Sequence, residues 1–157
     1  ILEDGTLDHP DDVLAGLDVV IASVHSKLRM AEQPMTERMV RAVANPHVDI
    51  LGHCTGRMIG KRDPSAFDPD YVFAACSQFH TAVEINCRPE RLDPPRPLLK
   101  LAIEYGCFFS IDSDAHATGQ LEWLPKGCDR AAEVGVPLDR VLNSWPSEQL
   151  LRWVAGG

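Results

Sequence analysis

Phe108-Phe109-Ser110-Ile111-Asp112-Ser113-Asp114-Ala115-His116 is an apolar run that ends in a carboxylate and an imidazole. Residues two apart at the end of an extended strand point the same way, so Asp114 and His116 converge. Such a pair can hold a metal ion or act as an acid–base couple. Two further strand-like runs also end in histidine: Val19-Val20-Ile21-Ala22-Ser23-Val24-His25 and Val48-Asp49-Ile50-Leu51-Gly52-His53. Strands are expected to start near residues 18, 48, 81, 107 and 140, with a helix in each gap, and a step of roughly 30 residues is the length of a βα unit. Repeated βα units with apolar strands predict an α/β fold with parallel strands covered by helices. No sequence identity recurs at that period, which excludes a solenoid.

The punctuation between these runs supplies the helices. Asp8 to Asp12 predicts a short helix, with Asp8 as cap and Pro10 in its first turn. Met35, Met39, Val40 and Val43 form the apolar stripe of a helix over 35–44 that Asn45-Pro46 stops. Helices are expected over 70–80, over 98–105 closed by Gly106, and over 127–134 closed by Gly135. A helical turn is expected over 119–124. Ser147 predicts the cap of a last helix running to Val154, after a short strand Val141-Leu142-Asn143. Two polar loops, Cys54 to Pro69 and Cys87 to Pro97, are long enough to suspect function.

The length of 157 residues and an apolar content of 45% suit one domain, 1–157. No apolar run reaches the length of a membrane span, and no signal peptide is visible. Five scattered cysteines without a CxxC spacing favour a reducing compartment, so a cytoplasmic location is expected, with most cysteines in the core. The net charge of −8 argues against nonspecific coating of nucleic acid. The charge is uneven, however: residues 1–18 carry only acids, and the bases gather in the loops.

In parallel α/β folds ligands bind at the C-terminal ends of the strands. His25, His53, Glu84 with Asn86, and Asp114 with His116 all fall there. A single histidine at a strand end is commonly structural, as His9, His47 and His80 are read here. Three histidines and an aspartate on one rim point to metal. Imidazole and carboxylate donors without thiolate suit zinc, manganese or iron rather than magnesium or calcium. Glu84 is a carboxylate that orients a ligand, a partner for a nearby arginine, or itself a ligand. Lys27 and Arg29 follow His25; Arg57, Lys61 and Arg62 follow His53; Arg88 and Arg91 follow Glu84. These seven of the fifteen Lys and Arg are either ordinary solvated loop residues or an anion-binding collar. The forked donors of arginine suit phosphate. A metal beside such a collar implies hydrolysis of a phosphoester by metal-activated water.

Four motifs, Ala22-Ser23-Val24-His25-Ser26, Asp49 to Arg57, Glu84 to Asp93 and Ser113-Asp114-Ala115-His116, together resemble the PHP (polymerase and histidinol phosphatase) superfamily. The likeness is strongest to the PHP domain of bacterial family-X DNA polymerases and to stand-alone PHP phosphoesterases. The resemblance implies a distorted (β/α)7 TIM-like barrel holding up to three divalent metal ions. It also implies a 3′–5′ exonuclease or 3′-end phosphatase acting on DNA. Carried over, His25, His53, Asp114 and His116 are metal ligands, with Asp114 and His116 also catalytic. Arg57 and Arg91 match loop positions beside the site, and with Lys27 and Arg88 they are expected to bind substrate phosphate.

The family's opening His-x-His motif, a further His and a bridging Glu are absent from this sequence, so the chain resembles the C-terminal portion of the domain. A partial site with weak or no activity of its own is therefore expected. So is self-association, or pairing with the missing N-terminal portion, across an exposed sheet edge. Three other readings remain: a histidinol-phosphatase-like small-molecule phosphatase, an amidohydrolase-like enzyme, and a non-catalytic PHP module kept for assembly.

Overall fold

The computed structural model describes residues 1–156. After a short α1 (Asp11–Leu14), the chain alternates β1 (Ile21–Ala22), α2 (Glu32–Val43), β2 (Ile50–Leu51), α3 (Pro69–Gln78), β3 (Ala82–Asn86), α4 (Arg96–Glu104) and β4 (Phe109–Asp112). α5 (Leu124–Val134) and α6 (Ser147–Val154) follow. The strands form one sheet in the order β1-β2-β3-β4, each neighbouring pair parallel. This is the architecture that the spacing of the apolar runs predicts: a parallel sheet covered by helices.

The helices form where the stripes require. Met35, Met39 and Val43 of α2 are fully buried at four-residue steps. The Asp68 side chain caps α3 by accepting from the Asp70 and Tyr71 amides, with Pro69 as the first helical residue. Gly135 ends α5 in the left-handed region at φ 79°. The expected caps Asp8 and Ser147 are not used. Pro10 and Pro146 occupy those positions in extended conformation, and neither α1 nor α6 has a side-chain cap bond. Proline fixes φ there, and the extended backbone it favours directs the chain into the helix.

The register decides what each face carries. Leu51, Val83, Ile85, Phe109 and Ile111 belong to the main core with the residues of α2 to α5. α5 lies close because Gly127 has no side chain: a Cβ there would stand 2.3 Å from Cys87 Sγ and 2.7 Å from Ile111 Cγ2. The opposite face is apolar only at the N-terminal ends of the strands, where Ile50 and Ala82 meet Phe108, Leu142, Trp145 and Trp153. Phe108, Trp145 and Trp153 pack edge to face at 5.4–6.1 Å between ring centroids. Toward the C-terminal ends this face turns polar, with Glu84 paired to Ser110 and Asn86 to Asp112.

The strand expected at Val141-Leu142-Asn143 is not formed. Val141 makes one parallel bridge to Phe109, and 3₁₀ turns occupy Leu138–Arg140 and Leu142–Ser144. The Asn143 side chain takes the place of a ladder, accepting from the Ile111 amide at 2.7 Å and donating to the Ile111 carbonyl at 3.1 Å. A side-chain amide can satisfy a strand edge without a strand. Cys54, Cys76, Cys87 and Cys107 are buried thiols and Cys128 is exposed. Among the described residues no helix is long and apolar enough to cross a membrane.

Candidate metal and phosphate site

The loops leaving β1 and β2 bring His25 and His53 together, with ring centroids 5.1 Å apart at 62°. His25 is exposed and His53 is buried. Burial, helped by the positive charge of Arg91 and by His25, pushes the His53 imidazole down to about 4. Burial, with the N-terminal amine and Arg91, also lowers His25. Both rings are therefore neutral near pH 7, the form that ligates metals. His53 Nδ1 is buried with no hydrogen-bond partner.

His53 sits at φ 25°, and two buried carboxylates hold it there. Glu84 accepts the His53 amide hydrogen. Asp93 accepts from the Thr55 amide at 3.3 Å and the Thr55 hydroxyl at 2.7 Å. Burial first, with Asp112 adding to it, pushes Glu84 up to about 8, against the His53 and Asn86 bonds that pull the other way. Glu84 is bonded to the His53 backbone, and no arginine pairs with it among the described residues.

Asp114 follows β4 at φ 53°, its side chain 18% exposed. Its Oδ2 is 3.0 Å from Arg91 Nε and 4.0 Å from Arg88 Nη1. His116 stands at the mouth, 69% exposed, with Nδ1 2.9 Å from the Asp114 carbonyl and its amide donating to Gln120. Expected together from their spacing, Asp114 and His116 are joined here through the backbone more closely than through the carboxylate, which lies 3.8 Å from the ring.

The basic collar divides into groups with different work. Arg57 donates to the Arg91 and Leu92 carbonyls, and Arg62 donates twice to the Gly56 carbonyl. Both clamp loops. Arg88 pairs with Glu90 at 3.1 Å. Lys27 is exposed at φ 52°. Arg91 keeps Nη1 buried and without a partner. A cavity of about 680 Å³ opens between residues 28–30 and 57–64, lined by Arg29, Arg57, Lys61 and Arg62 but not by His25 or His53.

Several residues of the site escape a reading of the sequence. Asp93 looks like loop punctuation before Pro94. Asp112 is missed too, although its alternation with Ser110 along β4 is a signal that could have found it; Asp112 Oδ2 accepts the Ser110 hydroxyl at 2.6 Å. Arg38 of α2 is buried and donates to the Ile1, Leu2 and Ser26 carbonyls, which fixes the loop just after His25.

Among the described residues, no three His, Cys, Asp or Glu side chains stand together as a ready metal cluster. The donor chemistry fits a divalent cation nonetheless. Two neutral imidazoles adjoin, and one carries a buried ring nitrogen with nothing to bond. Asp114 is the natural third donor, and its carboxylate is engaged by Arg91.

No family model matches the chain. It is 40% identical over 144 residues to the DNA polymerase/3′-5′ exonuclease PolX of Bacillus subtilis, spanning 92% of this chain and 25% of that protein. It is 27% identical over 159 residues to a probable phosphatase of Aliivibrio fischeri, spanning 96% of this chain and 62% of the relative. A probable phosphatase of Thermoanaerobacter sp. is 29% identical over 151 residues, spanning 90% and 59%. The chain thus spans a quarter of the length of the polymerase and about three-fifths of the phosphatases. The four ordered motifs, the parallel sheet that carries them and these relatives are consistent with a PHP-like family.

Proposed function

We propose that the protein is part of a metal-dependent phosphoesterase that acts on the 3′ ends of DNA, as a 3′–5′ exonuclease or 3′-end phosphatase. The observation that carries this reading is the pair of neighbouring imidazoles on the strand rim, together with an arginine that holds the Asp114 carboxylate and keeps one buried donor unused. His25 and His53, with Asp114 and His116, would hold manganese, zinc or iron, up to three ions in a complete domain. The metal, when bound, lowers the pKa of a coordinated water and draws charge from the phosphoryl oxygens. Arg91 Nη1 donates to a phosphoryl oxygen in a site poor in water, where a charged hydrogen bond is worth most. Arg57 and Asp93 keep the loops that present Arg91 and His53 in place. The Nδ1 of His116 faces the Asp114 carbonyl, which leaves Nε2 as the nitrogen that a metal would take. Lys27 and Arg88 lie on the loops where flanking phosphates would run.

The sequential order of four parallel strands supports a distorted (β/α)7 TIM-like barrel, of which this chain is a portion. The polar residues Glu84, Ser110 and Asp112 would face its interior. Cytoplasmic DNA is the natural substrate pool for such an enzyme. The higher identity to the polymerase/exonuclease favours nucleic acid over a small phosphomonoester, and the phosphatase relatives supply the second reading.

The test compares a single-stranded oligonucleotide, with and without a 3′-phosphate, against histidinol phosphate. The protein is studied joined to the upstream portion of the domain and loaded with manganese, zinc or iron. Cleavage of the oligonucleotide, lowered at least about 100-fold by His53→Ala, is expected, in line with the loss that accompanies removal of a ligand-shell group. Preference for histidinol phosphate would establish the small-molecule reading. No cleavage with any of the three metals would end both.

A further inference from the structure

We propose that Arg91 is an exchangeable internal cation. In the metal-free protein it neutralises Asp114; when a divalent cation takes that carboxylate, the guanidinium passes to the oxyanion of the substrate. This inference rests on the phosphoesterase reading above and assigns Arg91 a coupling role within it.

Two observations single out Arg91 from the other bases of the collar. Its Nε holds Asp114 Oδ2 at 3.0 Å, which places a guanidinium on the carboxylate that a metal would need. Its Nη1 is buried and has no partner among the described residues, so one edge of the fork is desolvated and unused. Arg57 and Arg62 are spent on backbone carbonyls, and Arg88 stands 4.0 Å from Asp114 while paired to Glu90.

The backbone beneath Arg91 is anchored, so only the side chain has to move. Arg57 holds the Arg91 and Leu92 carbonyls, the Arg91 amide donates to the Arg88 carbonyl at 2.8 Å, and the Asn86 amide donates to the Asp93 carbonyl at 2.8 Å. A buried donor without an acceptor is costly and an anionic oxygen is its best remedy. A metal on Asp114 and a guanidinium on the same oxygen repel each other. Metal and oxyanion therefore favour each other: the metal releases Arg91, and an oxyanion that holds Arg91 clears Asp114 for the metal. The coupling is reciprocal by linkage.

The test is calorimetric titration of manganese into the full-length protein as wild type, Arg91→Gln, Arg91→Lys and Arg96→Gln, each with and without saturating sulfate as a tetrahedral dianion probe. Circular dichroism checks the fold of each. In wild type, sulfate is expected to tighten manganese binding about fivefold or more, within the range of ordinary site coupling. Arg91→Gln is expected to bind manganese at least about fivefold more tightly without sulfate, and to lose the sulfate effect. Arg91→Lys keeps the competing charge but not the fork, so it retains the weak affinity and loses the coupling; it also serves should the Gln variant fail to fold. Arg96→Gln, which removes a remote exposed charge paired with Glu133, should behave as wild type. If wild type binds manganese and removing the Arg91 charge leaves that affinity unchanged or weaker, the exchange is overturned while the phosphoesterase reading stands. If none of the four proteins binds manganese, the metal reading fails and takes the exchange with it.

Discussion

Glu84 shapes the site through the one backbone bond it accepts. Its carboxylate fixes the amide of His53 at a left-handed φ, and the imidazole direction follows from that. Non-glycine residues rarely adopt this region, and those that do must be held there by their surroundings. Glu84→Leu removes the acceptor and leaves the His53 amide buried without a partner. A loss of about 1–3 kcal/mol is expected, read from the urea midpoint. Glu84→Gln keeps an acceptor oxygen and should retain most of that stability below pH 7. Equal losses for both variants would show that charge rather than the hydrogen bond holds the turn. The rim histidines could be read from the sequence because each ends an apolar run. The sequence leaves Glu84 among three roles, since a carboxylate on a strand announces its face but not its partner.

The two edges of the sheet are finished differently. At β4, Asn143 satisfies the Ile111 amide and carbonyl, and Val141 adds a bridge. At β1 no strand lies beyond Ile21–Ala22 among the described residues, and Ile21 is 49% exposed. An open apolar edge is a template for another strand. Light scattering is expected to show concentration-dependent self-association that Ile21→Lys suppresses; a monodisperse monomer at every concentration would refute this. Four of the five strands could be placed from their β-branched runs. The fifth could not, because Val141-Leu142 has the composition of a strand while Asn143 does the work of one with its side chain. The missed caps have a similar origin: Asp8 and Ser147 are good caps, but the prolines that follow or precede them set the entry of the helix.

For the whole molecule, the buried titratable groups set a pH profile. Burial raises Glu84 from 4.5 to about 8, so the folded state holds a proton that the unfolded chain has released. That contribution is complete below about 4.5 and is lost as pH rises toward 8. His53 has the opposite slope: lowered from 6.5 to about 4, it costs stability as pH falls below 6.5. The two oppose each other between about 4.5 and 6.5, and only Glu84 acts above. Thermal melts of the protein in chelator are expected to be nearly flat across the lower window. From 6.5 to 8 stability should fall with a slope approaching about 1.4 kcal/mol per pH unit. Glu84→Gln should remove the fall; its persistence in that variant would assign it to other groups. The sequence alone determined the parallel α/β architecture and the likeness to a PHP-like family, because strand periodicity, helix stripes and ordered motifs are local properties of the chain. Only the tertiary structure decided which bases face the site. Arg57 and Arg91 are alike as residues, yet one is consumed by backbone carbonyls and the other keeps a buried donor. What a side chain bonds to depends on segments some thirty-five residues away, and no local pattern carries that.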